Sequence, residues 1–127
     1  GVHYVTYSFL PHNSSFNAKA VIQPSYMLNI PHIVSVGKYE TASLLKVDKD
    51  NIIVESVKPC EDEERAFIVR LYEAEGTRTN ATVSFGDCIK NHVVTNMLEE
   101  AIGTVCDDKE MSATFRPFEI KTVKLYY

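Results

Sequence analysis

A chain of 127 residues is the size of one domain and can bury a core without metal or disulfide staples. Its net charge of -4 argues against nucleic acid as a partner, because gripping phosphates requires a basic face. No apolar run approaches the roughly 20 residues of a membrane span, and no signal peptide is visible.

The opening residues Tyr4 to Phe9 alternate, with Val5, Tyr7 and Phe9 on one side, and predict a strand. Pro11-His12-Asn13-Ser14-Ser15 breaks it. Residues 16–31 read two ways. Phe16 to Gln23 could form two helical turns capped by Ser15, or run extended because Ala18, Ala20 and Ile22 alternate. Pro24 and Pro31 tip the balance towards extended. Residues 1–31 are thus expected to be an arm or the end of a preceding β-domain, and residues 32–127 a sandwich domain.

After Gly37 the strand signals are clearer. Leu44 to Val47 and Ile52 to Val57 flank the polar turn Asp48-Lys49-Asp50-Asn51, a hairpin pattern. Ala66 to Glu73 and Ala81 to Phe85 flank a loop with Gly76 and predict a second hairpin. Val93 to Leu98 and Met111 to Phe115 add further strands. In the tail, Phe118 and Ile120 alternate, the pattern slips by one near Thr122, and it resumes at Val123, Leu125 and Tyr127. Such a slip reads as a bulge or a change of sheet face. The fold class expected is all-β: a two-layer antiparallel β-sandwich, Ig-like, with an extended N-terminal arm.

Motifs for chemistry are scarce. His3, His12, His32 and His92 lack zinc-site spacing, and no Cys-x-x-Cys occurs. Asp48-Lys49-Asp50-Asn51 starts like a calcium loop, but Ile53 and Pro59 stand where that loop needs glycine and glutamate. Glu61-Asp62-Glu63-Glu64 reads as a solvated charged loop. Asn13-Ser14-Ser15 and Asn80-Ala81-Thr82 fit the glycosylation triplet, a pattern common by chance. Phe67, Phe85 and Phe115 fall on apolar strand faces and are expected in the core, whereas Arg70 and Tyr72 share the opposite face of their strand. Catalytic residues expected: none. Metal ligands expected: none.

The order of several segments resembles glycoside hydrolase family 38 α-mannosidases. They are His3-Tyr4-Val5-Thr6-Tyr7-Ser8-Phe9-Leu10-Pro11-His12, Tyr26-Met27-Leu28-Asn29-Ile30-Pro31, Ser56-Val57-Lys58-Pro59-Cys60-Glu61-Asp62, Ile68-Val69-Arg70-Leu71-Tyr72-Glu73, Thr95-Asn96-Met97-Leu98-Glu99-Glu100 and Pro117-Phe118-Glu119-Ile120-Lys121-Thr122. The resemblance spans essentially the whole chain. It implies the C-terminal β-sandwich of a retaining, zinc-dependent exo-α-mannosidase that removes terminal α-linked mannose from glycans. Zinc and the nucleophile would then reside in a separate upstream domain. This chain would hold no cofactor and have no activity alone, and its partners would be the remaining domains of the parent. Arg70, Tyr72, Glu73 and Glu119 match family motifs and are expected to make interdomain or cleft-rim contacts.

Two alternatives stay open: a free-standing glycan- or protein-binding module, and a structural Ig-like domain of an unrelated surface protein. The start at Gly1-Val2-His3, without methionine, predicts a processed chain or a piece of a longer one. The odd, scattered set Cys60, Cys88 and Cys106, together with the missing signal, points to a cytoplasmic parent.

Overall fold

A computed structural model describes residues 1–13, 15–30, 32–40 and 42–127. Ser14 of the first glycosylation triplet and Pro31 at the expected boundary lie outside these. Among the described residues, seven strands follow a short helical segment: β1 (Leu45–Val47), β2 (Ile52–Pro59), β3 (Ala66–Glu73), β4 (Thr79–Phe85), β5 (Asn91–Thr95), β6 (Glu110–Phe115) and β7 (Ile120–Tyr126). They form a three-stranded sheet in the order β1-β4-β6 and a four-stranded sheet in the order β2-β3-β7-β5. All pairings are antiparallel. The two-layer all-β sandwich expected from the sequence is the fold observed.

The main core lies between the layers. Ala81, Val83, Phe85, Met111 and Phe115 from the smaller sheet meet Ile52, Val69, Leu71, Val123 and Leu125 from the larger. Each of these side chains larger than alanine contributes about 1.5–3 kcal/mol by leaving water. Phe115, Phe85 and partly buried Phe67 all join this core, as their alternation predicts.

Both expected hairpins are instead corners between sheets. β1 pairs with β4 in one sheet, while β2 pairs with β3 in the other. Likewise, β3 and β4 lie in different layers, so the Gly76 loop crosses the sandwich. Alternation and a polar turn look the same whether the chain folds back in its own sheet or crosses to the facing one.

The slip near Thr122 is not a bulge. β7 pairs without interruption along β3 and β5. Thr122, Val123, Lys124 and Leu125 are all buried because this strand is central and covered on both faces. The register shift lies in β2, between Val54 and Ser56, and turns Glu55 outward.

The N-terminal region departs most from expectation. Residues 4–9 form no strand, and their side chains stand in solvent: Tyr4 is 94% exposed, Tyr7 91% and Phe9 90%. Residues 18–29, expected to be extended, are helical: a π-turn (Ala18–Ile22) runs into α1 (Gln23–Asn29). Asn17, not Ser15, caps the start, its side-chain oxygen accepting from the Ala20 N–H at 2.8 Å. The register changes from π to α at Gln23, directly before Pro24. Proline has no N–H and crowds the carbonyl four residues back in a regular α-helix, so the wider turn accommodates it. Tertiary packing decides the matter. Ala18 is fully buried with Ile53 and Ala74, and Ile22 and Tyr26 pack beside them. The Ala18 N–H donates to Glu75 at 2.7 Å.

Candidate functional site

Three loops meet at one end of the sandwich around the fully buried carboxylate of Glu73. Its Oε1 accepts from Glu75 N–H (2.8 Å), the Asn51 amide (2.9 Å) and the Thr77 hydroxyl (3.2 Å). Its Oε2 accepts from Gly76 N–H (2.7 Å), Thr77 N–H (3.1 Å) and Phe118 N–H (3.1 Å). Successive N–H groups of the β3–β4 loop form an anion-binding nest filled by the side chain of Glu73, the last residue of β3. Asn51 brings in the β1–β2 corner, and Phe118 the β6–β7 turn. Burial pushes the Glu73 carboxyl up, but the N–H groups of Phe118, Glu75 and Thr77 and the Asn51 amide overcome this and hold it down at about 2. With its acceptor positions filled and no solvent access, Glu73 is not a proton donor or nucleophile. It is a knot between loops.

The β6–β7 turn runs Arg116-Pro117-Phe118-Glu119 and is closed by Glu119 N–H donating to the Arg116 carbonyl at 3.0 Å. Phe118 has φ 57°, a left-handed conformation that an L side chain adopts at a cost of about 1–2 kcal/mol. Glu119 accepts from Arg116 N–H (2.7 Å) and the Arg116 guanidinium (3.1 Å), with Lys121 at 3.5 Å. The Arg116 N–H leads in holding the Glu119 carboxyl below its ordinary value. Gly76, at φ 71°, lies under the Phe118 ring, and a Cβ there would stand 2.8 Å from the ring's Cζ. Gly76→Ala therefore adds a backbone cost and a clash. We expect a loss of about 1–2 kcal/mol or more, read from the urea midpoint of unfolding.

Arg70 and Tyr72 lie elsewhere, on the outer face of the four-stranded sheet. With Glu55, Glu73, Met97, Phe118 and Ile120 they line a hollow of about 430 Å³. Arg70 donates to the Met97 carbonyl at 3.3 Å and lies 3.6 Å from Glu99, which also meets Lys58 at 2.7 Å. Glu99 itself has φ 70°. The Tyr72 hydroxyl is 3.4 Å from that of Tyr26, which donates to Glu55. Burial, then the Glu55 hydrogen bond, push the Tyr26 phenol well above its usual range.

The structure therefore gathers Glu73 and Glu119 at the loop end, with Arg70 and Tyr72 on the adjoining outer face. Sequence reasoning missed Asn51, Met97, Glu99 and Phe118. A signal for Phe118 existed, because Pro117 suits the second position of a turn whose third position is left-handed. Asn51 gave only a turn signal, since its partner lies in a different corner. Among the described residues, no three metal-ligating side chains converge. Nor, among them, is any helix long and apolar enough to cross a membrane.

Alpha-mannosidase 2C1 of Homo sapiens is 28% identical to this chain over 134 aligned residues, covering 98% of this chain and 13% of that protein. Alpha-mannosidase 2C1 of Mus musculus is 27% identical, with the same coverage of 98% and 13%. The chain thus spans about 13% of the length of the curated relatives it matches. No solved structure matches it. Residues 51–123, from the Asn51 corner through most of β7, match the model of the glycosyl hydrolases family 38 C-terminal beta sandwich domain. The chain belongs to that family.

Proposed function

We propose that this chain is the non-catalytic C-terminal domain of a retaining, zinc-dependent exo-α-mannosidase that removes terminal α-linked mannose from glycans. It acts by packing against the rest of that enzyme. The arm is the observation that carries this reading. Val2, Tyr4, Val5, Tyr7 and Phe9, then Ile33, Val34 and Val36, all stand exposed. Chains rarely leave so many large apolar groups in water unless another surface covers them. We assign residues 1–31 as an arm of the sandwich of residues 32–127, anchored where Ala18, Ile22 and Tyr26 pack with Ile53 and Ala74.

In this reading the zinc is held by the catalytic portion of the parent. Arg70, Tyr72, Glu73 and Glu119 serve as architecture at the end and face nearest the expected neighbours. The unpaired Cys60, Cys88 and Cys106 support a reducing compartment, the cytoplasm, for the parent. The test is hydrolysis of an aryl α-mannoside by the purified full-length parent and by this chain alone. Activity in the parent and none in the chain is the expected result. Mannose release by this chain would refute its non-catalytic role, and an inactive parent would refute the assignment to a mannosidase.

A further inference from the structure

We propose that the outer face of the β2-β3-β7-β5 sheet, centred on Phe118, is a docking surface. Its occupant is an apolar side chain from the remainder of the parent polypeptide. The inference rests on the reading of this chain as one domain of a longer enzyme, and it names the surface by which that domain is held.

Phe118 stands as a ridge, 69% exposed, between two hollows. One is the 430 Å³ hollow floored by Arg70 and Tyr72 and bordered by Met97 and Ile120. The other, of about 350 Å³, is lined by Phe16, Ala74, Glu75 and Thr77. Ile120 is 54% exposed and Met97 53%, so the ridge and its flank form one apolar strip.

The backbone marks the same place. Among the described residues, the left-handed non-glycine positions are Phe118 and Glu99. Phe118 forms the strip's ridge, and Glu99 lies against Arg70 at the hollow's edge. Residues in this conformation persist only where surrounding contacts hold them, and they cluster at binding and switch regions.

The opposite face of the sandwich has a different chemistry. Asn80, Thr82 and Ser84 of β4 lie beside Thr114, Ser112 and Glu110 of β6. They bond one another, Thr114 to Asn80 at 2.8 Å and Ser84 to Glu110 at 3.1 Å. That is a face finished for water, whereas the strip formed by Phe118, Ile120 and Met97 is apolar and exposed. The occupant follows from position and length. Phe16, at the root of the exposed arm, lines the second hollow, so the arm leaves the sandwich beside the strip. A neighbour that covers exposed Phe16 also borders the strip, because Phe16 and Phe118 line the same hollow. The matched region is only 13% of the relatives' length, so most of each relative lies outside it.

The experiment uses the full-length parent with a photoreactive p-benzoylphenylalanine replacing, in separate variants, Phe118, Ile120, Phe9 or Thr114. Irradiation is followed by peptide mapping of an equal mixture of heavy- and light-isotope protein. Probes at 118 and 120 should capture peptides from outside residues 1–127, joined light to light or heavy to heavy. The probe at 114 should capture none. Ile120 is included because Phe118 contributes to its own turn and its replacement could disturb folding.

Mixed heavy–light products at 118 and 120 would overturn the proposal in favour of a second copy. Capture at Phe9 without capture at 118 and 120 would overturn it while leaving the packed-domain reading intact. Capture at none of the positions would sink both.

Discussion

Glu73→Gln should lower the thermal midpoint of unfolding by roughly 11 °C, the counterpart of about 3 kcal/mol in a domain of this size. The substitution changes almost nothing in shape. It replaces an oxygen that accepts from three donors with an amide that is itself a donor, so N–H groups then face N–H groups in a site without water. Glu75, Gly76 and Phe118 N–H lie 2.7–3.1 Å from the carboxylate, too close for the clash to be relieved without opening a loop. Differential scanning calorimetry of the two proteins at pH 7 checks this. A shift under a few degrees would mean that the three loops hold together without the knot.

The same residue gives a pH signature. Its folded value of about 2 lies below the ordinary 4.5, so the folded state favours the charged form. That stabilisation is fully present above about pH 4.5 and is lost as pH falls through the folded value near 2. The gap between the native chain and Glu73→Gln should therefore be widest above pH 4.5 and shrink towards pH 2. A gap that stayed constant with pH would show that Glu73 is not ionised in the fold.

Phe115→Ala should cost about 3–5 kcal/mol, the usual price of emptying a fully buried aromatic site. Phe115 is fully buried between the sheets, with the Lys121 ammonium 5.5 Å above its ring centroid. Its neighbours belong to both layers, so the cavity cannot collapse by moving one strand. The matched control is Phe9→Ala, the same truncation at a side chain in solvent, which should leave the urea midpoint of this chain unchanged. Equal effects at the two positions would contradict the burial of Phe115.

The layer architecture was legible because strand burial writes itself locally. Met111, Ala113 and Phe115 alternate, and their strand lies with that face inward. Partner choice was not legible. Leu45 to Val47 pairs with a strand more than 30 positions later, and nothing in Asp48-Lys49-Asp50-Asn51 distinguishes a return from a crossing. The helix at residues 18–29 escaped because its stability comes from Ala18 packing on Ile53 and Ala74, contacts made across the fold. The site was half legible. Glu73 and Glu119 stood in recognisable motifs, but Glu73's meaning depends on donors from Asn51 and Phe118, which only the closed corners bring near.

One consequence of the strand order concerns biosynthesis. β7, the last strand made, is inserted between β3 and β5, which do not touch each other without it. Until β7 has emerged from the ribosome, β5 has no sheet to join and the layer stands open along its middle. The nascent domain must therefore wait, unsealed, for β7. A premature stop ahead of Ile120 would leave the protein split through its centre rather than merely shortened at one edge.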